Sequence, residues 1–358
     1  MPLLALSSGY SGVEIGVLTA LSALIQMATR IFMGPAMRRL SNRTFVIAAA
    51  VLLAVSSGMV AFTAAVVPFA IAQMLQGVAR AFFWTGSQTQ AVRMSTSSVR
   101  GIAMLNLASA VGLLAGPLIA GVLSESSPQL ALAVGTGVAL FAAVPAWLLV
   151  RLPPFVPPAD RKKHGRVWQR PGADAGSWAG VTAGAWRGLL GSYVPAVLEE
   201  ARQSPSTIGV LVSIANGAAL AGSVLVGRVH GRWVARSFAA GVLAASAGTV
   251  AVAPLSPFAW AAGLALAVSG LGAGVLQTVG PAVAADAVHP EERGDAIATS
   301  GTFRSAALFL APLGVAGLVT MIPLTAAMVA VGTALAIPVR FTGRLRRHVY
   351  TSEPAPKR

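Results

Sequence analysis

The chain has 358 residues, 55% hydrophobic and 10% charged, with a mean hydropathy of +0.73 and a formal charge of +15. So few polar groups cannot cover that much apolar surface in water, so a soluble globule is excluded and lipid is the expected solvent. Without cysteine there is no disulfide framework, thiolate nucleophile or cysteine metal site, and His164, His230, His289 and His348 fall in loops or the tail, so no metal or cofactor is expected.

Apolar stretches of about 20 residues, enough to cross the hydrocarbon core as helices, run at 12–34, 45–67, 69–92, 101–123, 129–151, 177–198, 206–227, 237–255, 257–286, 295–320 and 323–341, eleven in all. Pro, Gly, Ser and short basic clusters separate them. One long polar stretch, 153–176, holds Asp160-Arg161-Lys162-Lys163-His164. It divides an expected N-terminal helical bundle, 1–152, from a C-terminal six-helix bundle, 177–341, which a basic tail follows at 342–358.

The charges alternate with the spans. Arg38, Arg39, Arg43, Arg93, Arg100, Arg151, the cluster at 161–170 and the tail fall on one side, and Arg202 alone on the other. Lys and Arg are retained on the cytoplasmic side, which places the central loop and the C-terminus there in a multi-pass protein of the cell membrane, the inner membrane in a bacterium. The basic excess is therefore an orientation signal with headgroup contact, and no nucleic-acid partner is expected.

The chain also repeats itself. Ile15-Gly16-Val17-Leu18 recurs as Ile208-Gly209-Val210-Leu211, and an offset of 193 residues then holds through Gly34/Gly227, Arg39/Arg232, Arg43/Arg236, Phe45/Phe238 and Gly77/Gly270. A duplicated set of apolar helices joined by a polar linker is the pattern of secondary transporters, whose halves rock about a central site. The same offset places the counterpart of 177–200 almost wholly ahead of Met1, with Pro2 against Pro195. Most of the first helix of the first copy is thus expected to be missing.

With these features the chain resembles the major facilitator superfamily over nearly its whole length, which implies an all-α fold of two pseudo-symmetric bundles. The family's loop motif runs Gly, three residues, an acid, a base, any residue, Gly, any residue, a base. Here Gly34, Arg39 and Arg43 keep it while Arg38 replaces the acid and Ser41 the second Gly; the second copy keeps Gly227, Arg232 and Arg236 and has Gly231 at the acid position. In the family the acid latches the halves at the cytoplasmic face, so neither copy is expected to make that latch. The stretch from Gly112 through Gly116-Pro117 to Gly121 resembles the Gly-Pro motif of drug/proton antiporters, with Ala120 where the family prefers Gly. Small residues four apart permit close helix approach, and the proline permits a bend.

Polar groups within spans mark a cavity or substrate path. Gln73, Gln76, Arg80, Trp84 and Gln88 form one stripe, about 22 Å long, on the helix that the resemblance makes the family's fourth and thus cavity-lining. Arg187, with Trp186 and Tyr193, stands on the seventh, Gln277 on the tenth and Arg304 inside the eleventh. Arg30, near a helix end, is expected to snorkel to the surface. Trp84, Trp186 and Tyr193 suit substrate stacking or packing equally. All eleven acids lie in loops or at helix ends, leaving Glu14 and Asp286 as candidates for proton coupling. Either a coupling acid belonged to the missing helix, or the arginines bind an anionic substrate directly.

The expectation is a monomeric secondary transporter that moves a small organic molecule by alternating access, as proton-coupled efflux. Arg80, Arg187, Gln73, Gln76 and Gln277 would carry the site and Gly116-Pro117 a packing hinge. Uptake by symport or uniport, and a non-transporting sensor or decayed paralogue, are the alternatives. No enzyme constellation lies at membrane depth.

Overall fold

A computed structural model describes residues 12–63, 65–154, 167–170, 172–229, 231–343 and 345. These hold twelve α-helices: α1 (Gly12–Met37), α2 (Asn42–Phe62), α3 (Val66–Met94), α4 (Ser98–Ser126), α5 (Pro128–Leu148), α6 (Ala173–Gly191), α7 (Tyr193–Glu200), α8 (Pro205–Val226), α9 (Arg232–Leu255), α10 (Ala259–Asp286), α11 (Arg293–Val319) and α12 (Leu324–Ala334). They fall on the eleven expected spans, because α6 and α7 share one, broken at Ser192. Eight helical segments of the described residues are long and apolar enough to cross a membrane. The shortened first helix falls on residues outside those described.

Local chemistry sets the ends. Ser41, Ser127 and Ser204 accept hydrogen bonds from the backbone N–H groups of Thr44, Leu130 and Thr207, capping α2, α5 and α8. α6 starts at Ala173, inside the polar linker, because Asp174 accepts from the N–H groups of Gly172 at 3.1 Å and Ala175 at 2.6 Å and so caps it. Gly231 opens α9 at φ 56° and ψ −135°, a conformation open only to glycine. The position where the family carries its acid is thereby fixed by the backbone.

The chain divides into two compact units, one of Met1–Ala91 with Ala108–Ala159, the other of Val92–Leu107 with Asp160–Arg358. In the first, α2 packs on α5, and Phe45 meets Phe82 of α3 edge to face at 5.2 Å. α5 is its lipid-clad rod: only 6% of its span is buried, and Phe141, Trp147 and Leu148 are exposed. In the second, α10 is the hub, packing on α6, α8, α9 and α11 with 61% of its span buried. The start of α4 joins this unit through Val99 and Ile102.

The duplication is visible in the packing. A Cβ on Gly77 of α3 would meet the Ser22 carbonyl oxygen at 2.5 Å and Ile25 Cβ at 3.0 Å; one on Gly270 of α10 would meet the Ala215 carbonyl oxygen and Ala218 Cβ. Each contact lies 193 residues from its counterpart, and Phe45 and Phe238 are both buried. Two helices approach to backbone contact at the same place in both copies, which needs glycine in both.

Candidate functional site

In the second unit the site is built on a seam between α6 and α11. Gly180, Gly184 and Gly188 face the backbone carbonyls of Ser300, Arg304 and Leu308, one turn apart on each helix, and Gly176 faces Gly280 of α10. Four glycines at four-residue spacing are what such contact requires, and a Cβ on Gly184 would overlap the Arg304 carbonyl. This close approach fixes where the Arg304 and Arg187 side chains start.

Both arginines are half-buried and both turn to amides. Arg187 donates from Nη1 to Oδ1 of Asn216 on α8, and Arg304 donates from Nη2 to Oε1 of Gln277 on α10 at 3.3 Å. Asn216 is oriented in turn by donating to the Val212 carbonyl at 3.0 Å. Arg187 follows one turn after Gly184, whose Cβ position would overlap the Arg304 carbonyl, so the two arginines start from adjoining turns of the seam. Among the described residues neither forms an ion pair. Two cations from adjoining turns of one seam, each on a neutral acceptor and with donors to spare, form an arrangement suited to a bound anion.

The structure thus brings together Arg187, Gln277 and Arg304 as a group and adds Asn216, which sequence reasoning missed. A lone amide in an apolar span has no period to betray it, though its depth within 205–226 was a signal. Tyr193 is placed differently: as the first residue of α7 it packs against the apolar core around Trp186, Leu190 and Val194. Trp186 is 2% exposed and donates from Nε1 to Ser269 Oγ at 3.1 Å, so its indole is a buried packing group.

In the first unit the expected stripe lies along α3. Gln73 and Gln88 are buried, Gln76 and Trp84 half-buried and Arg80 exposed. Arg80 donates to Gln76 Oε1 at 3.5 Å, one turn back on its own helix. Val66, Val67, Ile71, Met74 and Met94 are the exposed large apolar groups of this helix; Arg80 stands about 180° around the axis from Ile71 but only about 40° from Val66 and Met94. Arg30 corrects an expectation: at 6% exposure it is drawn into its unit and does not snorkel.

Glu14 stands in the first turn of α1. Asp286 closes α10, where it accepts from Ser98 Oγ at 2.5 Å and lies 3.9 Å from Arg293. Of the loop motif, Arg39 is exposed, Arg43 covers the Trp147 ring at 4.9 Å, Arg236 covers Trp233 at 4.5 Å, and a Cβ on Gly227 would meet Ala103 Cβ at 2.6 Å. Gly34 is buried just ahead of the loop. α4 continues as helix through Gly112, Gly116, Pro117 and Gly121, and at Gly112 a Cβ would meet nothing within 4 Å among the described residues. Among the described residues no His, Asp or Glu side chains gather as a metal site would need.

An all-α chain with many apolar spans and polar groups at membrane depth is a multi-pass membrane protein. The family model described as Major Facilitator Superfamily matches residues 1–312 and again 176–357, and the chain belongs to that family, whose members are transporters. The second match begins where the duplicated copy does. Solved structures with the same fold include the human organic anion transporter MFSD10 (TETRAN), at TM-score 0.77 and 14% identity over 95% of this chain and 87% of that one. Another is the proton:xylose symporter XylE bound to 6-bromo-6-deoxy-D-glucose, at 0.76 and 14% over 94% and 88%. No curated protein is matched by the sequence.

Proposed function

We propose that the protein is a secondary active transporter that exports a small organic anion in exchange for protons, by alternating access, in the cell membrane with its C-terminus cytoplasmic. The observation that carries this reading is the pair Arg187 and Arg304, each held by an amide and neither by a carboxylate among the described residues. A buried cation costs free energy unless it is matched, and a substrate carboxylate or phosphate matches two guanidinium groups with charge-assisted bonds. MFSD10, which shares the fold, is by its name an organic anion transporter. Gln277 and Asn216 aim the arginines, and Gln73, Gln76, Arg80 and Trp84 supply the polar face of α3.

Export and antiport rest on the resemblance of Gly112–Gly121 to the Gly-Pro motif of drug/proton antiporters. Asp286 is engaged with Ser98 and Arg293 at the end of α10, which leaves Glu14 as the proposed proton carrier. The test is flux in proteoliposomes loaded with a fluorescent organic carboxylate under an imposed pH gradient. Acidifying the trans side should accelerate exit, and Glu14→Gln should remove that acceleration. Flux indifferent to the gradient ends the antiport reading, movement of substrate with protons replaces it by symport, and equal transport of the neutral amide analogue ends the anion reading.

A further inference from the structure

The second unit carries a cavity of about 590 Å³ between α6, α11 and α12, apart from the arginine pair. Trp178 and Ala185 of α6, Phe303 and Leu310 of α11, and Ile337 after α12 form its walls. Its two threonines have no free donor: the Thr182 hydroxyl donates to the Leu335 carbonyl at 3.0 Å and the Thr302 hydroxyl to the Ala298 carbonyl at 3.0 Å. Leu310 and Ile337 on its rim are 58% and 48% exposed, so the opening is apolar and faces lipid. Along α11 the lining extends from Thr302 to Gly314, about 18 Å, close to the ~15 Å depth of one leaflet's hydrocarbon.

One end of this groove is cationic. At the side where α6 and α11 begin, Trp178 stacks flat on Phe341 with centroids 5.4 Å apart, and the Arg340 guanidinium lies 5.0 Å from the Phe341 ring and 5.9 Å from that of Trp178. A stacked guanidinium keeps its N–H edge for a planar acceptor or phosphate. We propose that the groove binds one acyl chain of an anionic glycerophospholipid from the leaflet on that side, with its phosphate held at Arg340. Its length suits a chain, its walls are mostly apolar, and the guanidinium against its aromatic end is positive.

The test is native mass spectrometry of the full-length protein released from detergent with phosphatidylglycerol or phosphatidylcholine of equal chain length. One tightly held phosphatidylglycerol is expected. Ala306 stands on the α11 wall, and Ala306→Phe, which fills the groove, should lose that one lipid. Arg340→Gln should keep a lipid but lower the preference for phosphatidylglycerol about fivefold, the worth of one basic residue at an anionic surface. Equal retention of both lipids by the wild type, or an unchanged lipid count in Ala306→Phe, overturns the assignment. So does a filled groove that abolishes substrate flux while keeping the lipid, because the groove then belongs to the substrate. A second measurement needs no filled groove: brominated phosphatidylglycerol should quench wild-type fluorescence more than brominated phosphatidylcholine does, and Trp178→Phe should erase the difference. Equal quenching by the two overturns the proposal as well.

Discussion

α3 and α10 occupy the same place in the two copies and are packed by the same contact, Gly77 on Ser22 and Ile25, Gly270 on Ala215 and Ala218. Their polar groups differ in kind. On α3 the cation is bonded within its own helix, Arg80 to Gln76. On α10 the polar groups ahead of the terminal Asp286 are neutral and serve other helices: Gln277 accepts from Arg304 of α11, Ser269 from Trp186 of α6, and Thr278 from Asn106 of α4 at 3.1 Å. Duplication preserved the backbone approach while the chemistry diverged, because glycine contacts constrain only the seam and leave the other faces of the rod free to change.

The largest effect should come from the cross-bonded arginines. Arg304→Ala or Arg187→Ala should lower substrate flux by about 30-fold or more, the cost of removing one partner of a desolvated charge contact. Arg80→Ala, which removes a cation bonded only within its helix, should cost about tenfold, one charged hydrogen bond's worth. Flux in proteoliposomes, read beside unchanged monodisperse elution, separates the three. If Arg80→Ala proves the most damaging, the second unit's cluster is a structural crosslink and the first unit carries the substrate.

Stability tests the shared half of the comparison. Gly77→Ala and Gly270→Ala should each destabilise by about 1–3 kcal/mol, since each methyl is driven into a backbone carbonyl that can yield only by moving a helix. The melting temperature should fall several degrees in both. A fall in only one would mean that the seams are not energetic equivalents. Asn106→Ala comes next, at about 1 kcal/mol, because it removes the donor to Ser223 Oγ at 3.0 Å and Thr278 Oγ1 while those hydroxyls, 2.6 Å apart, keep each other.

The rods were legible from sequence because lipid leaves the backbone one economical choice, and a run of about 20 apolar residues then means a helix. The repeat was legible for a related reason: Gly77 and Gly270 are irreplaceable where they touch. The partner of Arg187, and the amide that joins α4 to Ser223 and Thr278, were not. Asn216 and Asn106 are single amides in apolar runs, and only the three-dimensional path of α8 and α4 brings them to Arg187 and to the Ser223/Thr278 pair. Arg30 misled for the same reason: its place near a helix end suggested reach to the surface, but the bundle around it closes over the side chain. The α6 glycines could have been found, since Gly176, Gly180, Gly184 and Gly188 stand four apart in the sequence.

One substitution made on two helices distinguishes glycine as a contact from glycine as a spacer. At Gly184 an added methyl enters the Arg304 backbone, and Gly184→Ala should lower stability and displace Arg304 from Gln277. At Gly112 the same methyl meets nothing within 4 Å among the described residues. There the remaining effect is conformational, and replacing a mid-helix glycine by alanine should raise stability by about 0.5–1 kcal/mol. Thermal unfolding in one detergent should therefore give shifts of opposite sign for the pair. A Gly112→Ala variant that melts earlier would mean that α4 does meet a neighbour at that turn in some state of the transport cycle, and the Gly-Pro segment would then have the packing role its spacing suggests.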